Sequence, residues 1–249
     1  MHIKEVPAHA KNFSAGRKQY RPEAVVIHIM EGTLTGTDSW FQNPASRVSA
    51  HYGIGKTGEV HRYVKETDTA YHAGRVNNPS WKGIKQAGTN VYVNPNYYTV
   101  GIEHEGNQHS EWTEAMYNAS AEMIRDICKR WNIPVDRNHI VGHHEIYSVK
   151  TCPGHKVDLA RLVAMAAGQP VAFVANAHTK MKEFGKVTTL TKLNIRKAPA
   201  KSAQAVSLVD AGIQLAYDGY VDDGDDVNGN KRWYYTEEGN WFWSGGVKK

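Results

Sequence analysis

Short apolar runs, broken by glycine and often ending in histidine, set the texture of the N-terminal part of this chain. Ala24-Val25-Val26-Ile27 is continuous and β-branched and leads directly into His28, the pattern of a buried strand in a mixed or parallel sheet with a histidine at its end. Residues 49–54 and 59–64 flank the glycine-bounded turn Gly55-Lys56-Thr57-Gly58 and predict a hairpin. Thr99-Val100-Gly101-Ile102-Glu103 predicts another buried strand, and Ile140-Val141-Gly142-His143 a short strand or strand end.

The helical period is clearest from Thr113 to Trp131, where Met116, Ala119, Met123, Ile124, Ile127 and Trp131 recur on one face. Thr113 is placed as N-cap, Glu114 falls in the first turn, and Asn132-Ile133-Pro134 ends the element. A second amphipathic helix is predicted over Val157–Ala167, closed by Gly168. Beyond Gly168-Gln169-Pro170 the pattern changes. An Ala/Val-rich stretch reads as a linker, and residues 178–249, rich in Val, Thr, Tyr, Trp and Gly, show runs at 186–190, 206–208, 214–220, 231–236 and 240–243 that predict a small β-barrel. The expected organisation is a catalytic domain over 1–168, a linker over 169–179 and an all-β domain over 180–249, in an α/β fold with a mixed central sheet flanked by helices.

Composition narrows this picture little. The balance of 41% hydrophobic and 22% charged residues is that of an ordinary globular protein. The net charge of +5 is scattered, so nucleic acid is not the expected partner, and an anionic polymer such as a cell wall suits the balance equally. No apolar run is long enough to cross a bilayer, and the opening Met1-His2-Ile3-Lys4-Glu5 lacks the features of a secretory signal. The expectation is therefore a soluble monomer that acts after release from the cytoplasm, or a secreted protein whose signal was removed.

The two cysteines, Cys128 and Cys152, permit a bridge, two free thiols, or one metal ligand and one core residue. Cys128 lies beside the apolar face of the long helix and reads as core. Of the thirteen histidines, position selects a few. His143 ends a predicted strand nine residues before Cys152, across a loop able to fold back, and His28 ends another strand. Two imidazoles and a thiolate suit zinc, and three protein ligands leave a coordination position open for water. Spacing alone does not bring His28 to the loop.

The segments Val26-Ile27-His28, Val48-Ser49-Ala50-His51-Tyr52-Gly53-Ile54, Ala70-Tyr71-His72-Ala73-Gly74, Val100-Gly101-Ile102-Glu103-His104-Glu105-Gly106 and Gly142-His143 through Lys150-Thr151-Cys152-Pro153-Gly154 resemble, in order, the motifs of the type-2 amidase family, over about residues 20–165. The resemblance implies a zinc-dependent N-acetylmuramoyl-L-alanine amidase acting on bacterial peptidoglycan. It implies Zn²⁺ on His28, His143 and Cys152, with Glu103 as general base and Lys150 as a second stabiliser of the oxyanion. His143 is preferred over His144 because the family's ligand follows the glycine directly. Tyr71, His72 and Asn96 are candidates for substrate binding, each with packing or capping as the plainer role. The chain departs from some relatives in carrying Ala50 where they have tyrosine. Trp40 and Trp81 are expected in the core.

Leu193-Asn194-Ile195-Arg196-Lys197-Ala198-Pro199, Gly212, Trp233-Tyr234-Tyr235 and Asn240-Trp241-Phe242-Trp243 resemble the bacterial SH3-like family, which implies wall anchoring. Among Tyr217, Tyr220, Trp241 and Trp243 some aromatics must fill the core, and the acidic run Asp222–Asp226 reads as a solvated loop. The whole is consistent with a phage or prophage endolysin. Two rivals remain open: a cysteine hydrolase using Cys152 with His143 or His155, and a peptidoglycan-binding protein that does not cut.

Overall fold

Strand runs, turns and caps fall into two compact units, Met1–Val171 and Ala172–Lys249, in the computed structural model, which describes residues 1–169, 180–201 and 203–248. The linker expected over 169–179 lies, apart from Gln169, outside the described residues.

In the first unit, strands β1 (Ile3–Glu5), β2 (Ala24–Ile27), β3 (Tyr52–Ile54), β4 (Val60–Arg62), β5 (Thr99–His104) and β6 (Ile140–Gly142) form one sheet in the order β1-β4-β3-β5-β2-β6. The β3–β4 pair is antiparallel, as its glycine-bounded turn requires, and every other pair is parallel. The sheet is thus mixed, as expected. The unit also holds helices α1 (Leu34–Gln42), α2 (Glu114–Trp131) and α3 (Leu159–Ala166), and two short antiparallel pairs, Phe13–Ser14 with Thr69–Ala70 and Gln86–Gly88 with Val91–Tyr92.

Parallel strands need both faces covered, which explains the continuous apolar runs. On one face Val25, Ile27, Tyr52, Ile54, Val100 and Ile102 pack with Met116, Met123, Ile124 and Ile127 of α2 and Leu162 of α3. A fully buried aliphatic side chain of this kind stabilises by about 1.5–3 kcal/mol. Thr113 caps α2 by accepting from the Met116 N–H at 3.1 Å, and Asn132 ends the helix in the left-handed region with φ 54°. Cys128, 2% exposed, belongs to this core. α3 is one turn shorter than expected, because Asp158 caps it by accepting from the Arg161 N–H.

Two elements were not legible in the sequence. α1 contains Thr35, Gly36, Thr37 and Ser39, poor helix formers, and is held instead by its Thr33 cap and by burial of Leu34, Thr37 and Phe41. β1 is three residues long and only half-buried at Ile3, so it forms by pairing with β4. The core expectation for Trp81 is met, since its ring stacks on Tyr98. That for Trp40 is corrected: it sits on the outer side of α1 and is 53% exposed.

The second unit is all-β. Strands β7 (Met181–Thr189), β8 (Leu193–Arg196), β9 (Ala205–Val209), β10 (Gln214–Val221), β11 (Trp233–Tyr235), β12 (Trp241–Trp243) and β13 (Val247–Lys248) pair antiparallel in the order β9-β8-β12-β11-β10-β7-β13. The expected barrel is not closed among the described residues, because β9 and β13 are the two edges of the ladder. Tyr217, Tyr234 and Phe242 fill one core with Val187, Leu193 and Ile195, and Trp233 and Trp241 belong to a second. The Asp222–Asp226 loop is held by a bidentate pair between Asp222 and Arg232 at 2.6 and 2.9 Å, by the Lys201 N–H donating to Asp225, and by a turn bond from the Gly229 N–H to Asp226.

Candidate active site

Alternation along the strands turns one set of residues towards the α2 core and the other set towards the opposite face. The ladders register Ile27 with Ile102 and with Gly142, and Gly53 with Glu103 and with His61. One residue further, His28 stands opposite Glu103 and His143 opposite His28, so His61, Gly53, Glu103, His28 and His143 form one row across five strands. This row lies at the carboxyl ends of the parallel strands β2, β5 and β6, where open α/β sheets place their ligands.

The loop after β6 closes the site. It begins with a single helical turn at His143–Glu145 and returns through Lys150 to Cys152, whose carbonyl accepts from the His144 N–H at 3.2 Å and meets His144 Nδ1 at 2.7 Å. His144 is therefore exposed and used to fasten the loop, while His143 is buried and turned inward. Ligand atoms of His28, His143 and Cys152 come within 4.8 Å of one another.

Burial dominates the electrostatics. It holds His28 well below the usual imidazole range, with His143, His72, His104 and Lys150 adding to the effect, and it pulls His143 down to about 4 with help from Lys150. The Glu103 carboxyl is pushed up to about 8 by burial, against which Lys150 acts, and its Oε2 has no hydrogen-bond partner among the described residues. Burial, then Glu103, raises the Cys152 thiol to about 11, opposed by the Ile29 backbone and by Lys150. Lys150 itself is exposed.

Two neutral imidazoles and a reluctant thiol, beside a carboxylate oxygen unpaired among the described residues, form a donor set suited to a cation. That set fits zinc, whose charge favours the thiolate and neutral histidine and answers an unpaired carboxylate. The same thiol is poorly suited to nucleophilic attack, which needs a lowered pKa. His155 is exposed, stands in a tilted ring contact with His109 at 6.1 Å, and is outside the cluster.

The three residues expected to bind substrate occupy different settings. The Tyr71 hydroxyl meets Ser14 Oγ at 2.5 Å, and its ring is half-buried. Asn96 is buried, and its Oδ1 accepts from the backbone N–H of His72 at 3.1 Å and of Ala73 at 2.7 Å. His72 lies against Gly101, where a Cβ would come within 2.6 Å of its ring, and its Nδ1 is 3.0 Å from His28 Nε2.

Sequence reading missed two polar groups near this face. Arg17 is buried and donates to the carbonyls of Glu66, Asn96, Tyr97 and Thr99, tying down the segment that enters β5. His61 is bracketed by Asp38 at 2.8 Å and Glu59 at 2.7 Å, and Tyr63 donates to Asp38 at 2.8 Å while its hydroxyl overlies Gly53. A lone arginine in a polar stretch gives no sequence signal. The alternation of His61 and Tyr63 along a short strand was the only hint of the second group.

Residues 18–155 match the protein family described as N-acetylmuramoyl-L-alanine amidase. The chain is 40% identical over 127 residues to the N-acetylmuramoyl-L-alanine amidase A of Achromobacter lyticus, a match covering 50% of this chain and 60% of that protein. It is 33% identical over 120 residues to the 1,6-anhydro-N-acetylmuramyl-L-alanine amidase AmpD of Citrobacter freundii, covering 48% of this chain and 57% of that protein. The matches thus span less than two thirds of these relatives. A crystal structure of an AmpD derivative superposes with a TM-score of 0.53 at 26% identity, over 66% of this chain and 93% of that one. The catalytic domain of XlyA shares the fold at a TM-score of 0.50 and 18% identity, over 67% of this chain and 99% of that one.

Proposed function

From the premise that this chain belongs to the N-acetylmuramoyl-L-alanine amidase family, we propose that it hydrolyses the amide bond joining N-acetylmuramic acid to L-alanine in bacterial peptidoglycan, using zinc held by His28, His143 and Cys152. The observation that carries this reading is the meeting of those three ligand atoms within 4.8 Å, from three separate segments. Zinc supplies, when bound, a Lewis acid that polarises a carbonyl and brings the pKa of water to roughly 7.

Glu103 stands in the same row as His28 and His143 and serves as general base, taking a proton from the attacking water and returning it to the amine of L-alanine as the amide breaks. Lys150 brings a positive charge to the mouth of the site and stabilises the oxyanion that develops on the lactyl carbonyl. Tyr71 is assigned to the groove wall, whereas Asn96 supports the backbone of His72 from behind. No covalent intermediate is needed, in keeping with the raised Cys152 thiol.

The second unit is assigned as a wall-anchoring module of SH3-like type, on the motifs from Leu193 to Trp243, and the whole as an endolysin that works as a monomer. Kinship with proteins named 1,6-anhydro-N-acetylmuramyl-L-alanine amidase supports a second reading, in which the substrate is a soluble anhydro-muropeptide. Digestion of purified sacculi and of soluble anhydro-muropeptides, followed by mass analysis and assay of newly freed L-alanine amino groups, decides between them. Release from sacculi is expected. Release from neither substrate would leave a binder, and activity that survives a chelator would leave a thiol enzyme.

A further inference from the structure

A neutral imidazole has one N–H and one lone pair, so the nitrogen that a histidine offers to a cation is decided by what the other one bonds. His28 Nε2 lies 3.0 Å from His72 Nδ1, and one of the two must carry the hydrogen. The choice is made further along the chain of contacts. Thr99 Oγ1 donates its single proton to the Pro95 carbonyl at 2.7 Å, so towards His72 Nε2, 3.4 Å away, it offers only lone pairs. The His72 hydrogen therefore sits on Nε2, its Nδ1 accepts, and His28 Nε2–H donates to it. His28 Nδ1 is left with the free lone pair.

Other features agree with this direction. The ring is fixed in place because it lies on Gly101 and because Asn96 holds its backbone. The carbonyl of His28 is gripped separately, by His104 Nδ1 at 3.0 Å, and His104 Nε2 in turn meets Ser120 Oγ at 2.9 Å.

We infer that His72, backed by Thr99, is a positioning residue that fixes the tautomer of His28 and makes Nδ1 its metal-binding atom, in place of the substrate contact expected from its motif. This inference rests on the zinc reading above and deepens it. Partners of this kind commonly govern metal affinity by roughly 10- to 100-fold.

Two measurements test it. Zinc affinity by competition with a chelator of known strength should fall roughly 10- to 100-fold in His72→Leu, which keeps bulk without an acceptor. It should fall much less in His72→Asn, whose Oδ1 can stand near the place of Nδ1, and by an intermediate amount in Thr99→Val. Imidazole ¹⁵N spectra of the zinc-loaded, unsubstituted chain should show His28 bound through Nδ1 with a protonated Nε2, and this readout needs no variant to fold. Wild-type affinity in His72→Leu, or His28 bound through Nε2, overturns the inference alone. A chain that takes up no zinc overturns the zinc reading and this inference with it.

Discussion

The two faces of the central sheet obey different rules at the carboxyl ends of the same strands. On the α2 side Ile27, Ile54 and Ile102 are fully buried among mostly aliphatic neighbours, and the buried imidazole there, His104, is stacked on Trp112 at 3.9 Å and bonded at both nitrogens. On the other side His28 is buried and Glu103 half-buried, yet the shielded Glu103 Oε2 has no hydrogen-bond partner among the described residues and the imidazoles crowd one another. Among the described residues the first face pairs nearly every polar group it buries, the Trp112 indole nitrogen being the exception. The other leaves a carboxylate oxygen unpaired among crowded imidazoles, the usual sign of a site where stability yields to chemistry.

Substitutions can break this contrast from either side. Cys152→Ser removes a candidate ligand from the unsatisfied face, and turnover should fall by more than about a hundredfold while the unfolding midpoint stays close to that of the metal-free parent. Measuring rate and thermal melt on the same sample checks both parts. Ile124→Ala, on the satisfied face, should do the reverse: a loss of about 2–5 kcal/mol in denaturant titration, with zinc affinity retained in the folded fraction. Equal effects of the two changes on stability would erase the distinction between the faces.

A third prediction sharpens the contrast through pH. Glu66 sits at the edge of the satisfied face, where it accepts from Tyr52 at 2.6 Å, from Arg130 at 2.5 Å and from Trp131. Burial on its own would raise this carboxyl, but Arg130, Tyr52 and Trp131 together bring it below the ordinary value of 4.5. The folded state therefore binds the proton less readily than the unfolded one. Its contribution to stability is complete above the unfolded pKa and is lost as pH falls through the lower folded value. Melting temperatures taken downward from pH 5 should drop in the parent and drop less steeply in Glu66→Gln. The smallest effect is expected from Thr113→Ala, which deletes the α2 cap at a cost of about 1 kcal/mol, seen as a small shift in denaturant midpoint with unchanged rate.

Much of the satisfied face was legible in the chain itself. The run from Ala24 to Ile27, the hairpin around Gly55–Gly58 and the period from Met116 to Ile127 each announce an element, because burial of one face imposes a repeat that local reading can detect. α1 was not legible, since its residues favour turns and caps and only contact with the sheet makes them helical. Trp40 misled for a related reason: a large aromatic ring is usually buried, and nothing local shows that it lies on the outer side of a helix. The candidate ligands could be singled out by residue type and by their places at strand ends. Their meeting could be implied only by resemblance, since His28 and His143 are far apart along the chain.

The sequence by itself determined most strands of the central sheet, the long helix with its Thr113 cap, and the supply of imidazole, thiol and carboxylate at strand ends, because these depend on neighbours within a few residues. Only the tertiary structure decided that β5, β2 and β6 lie side by side, so that Glu103, His28 and His143 fall in one row and the returning loop brings Cys152 to them. Strand order and register are set by long-range pairing and by packing of the whole sheet against α2 and α3. A local pattern can say which face of a strand is buried but not which strand lies beside it.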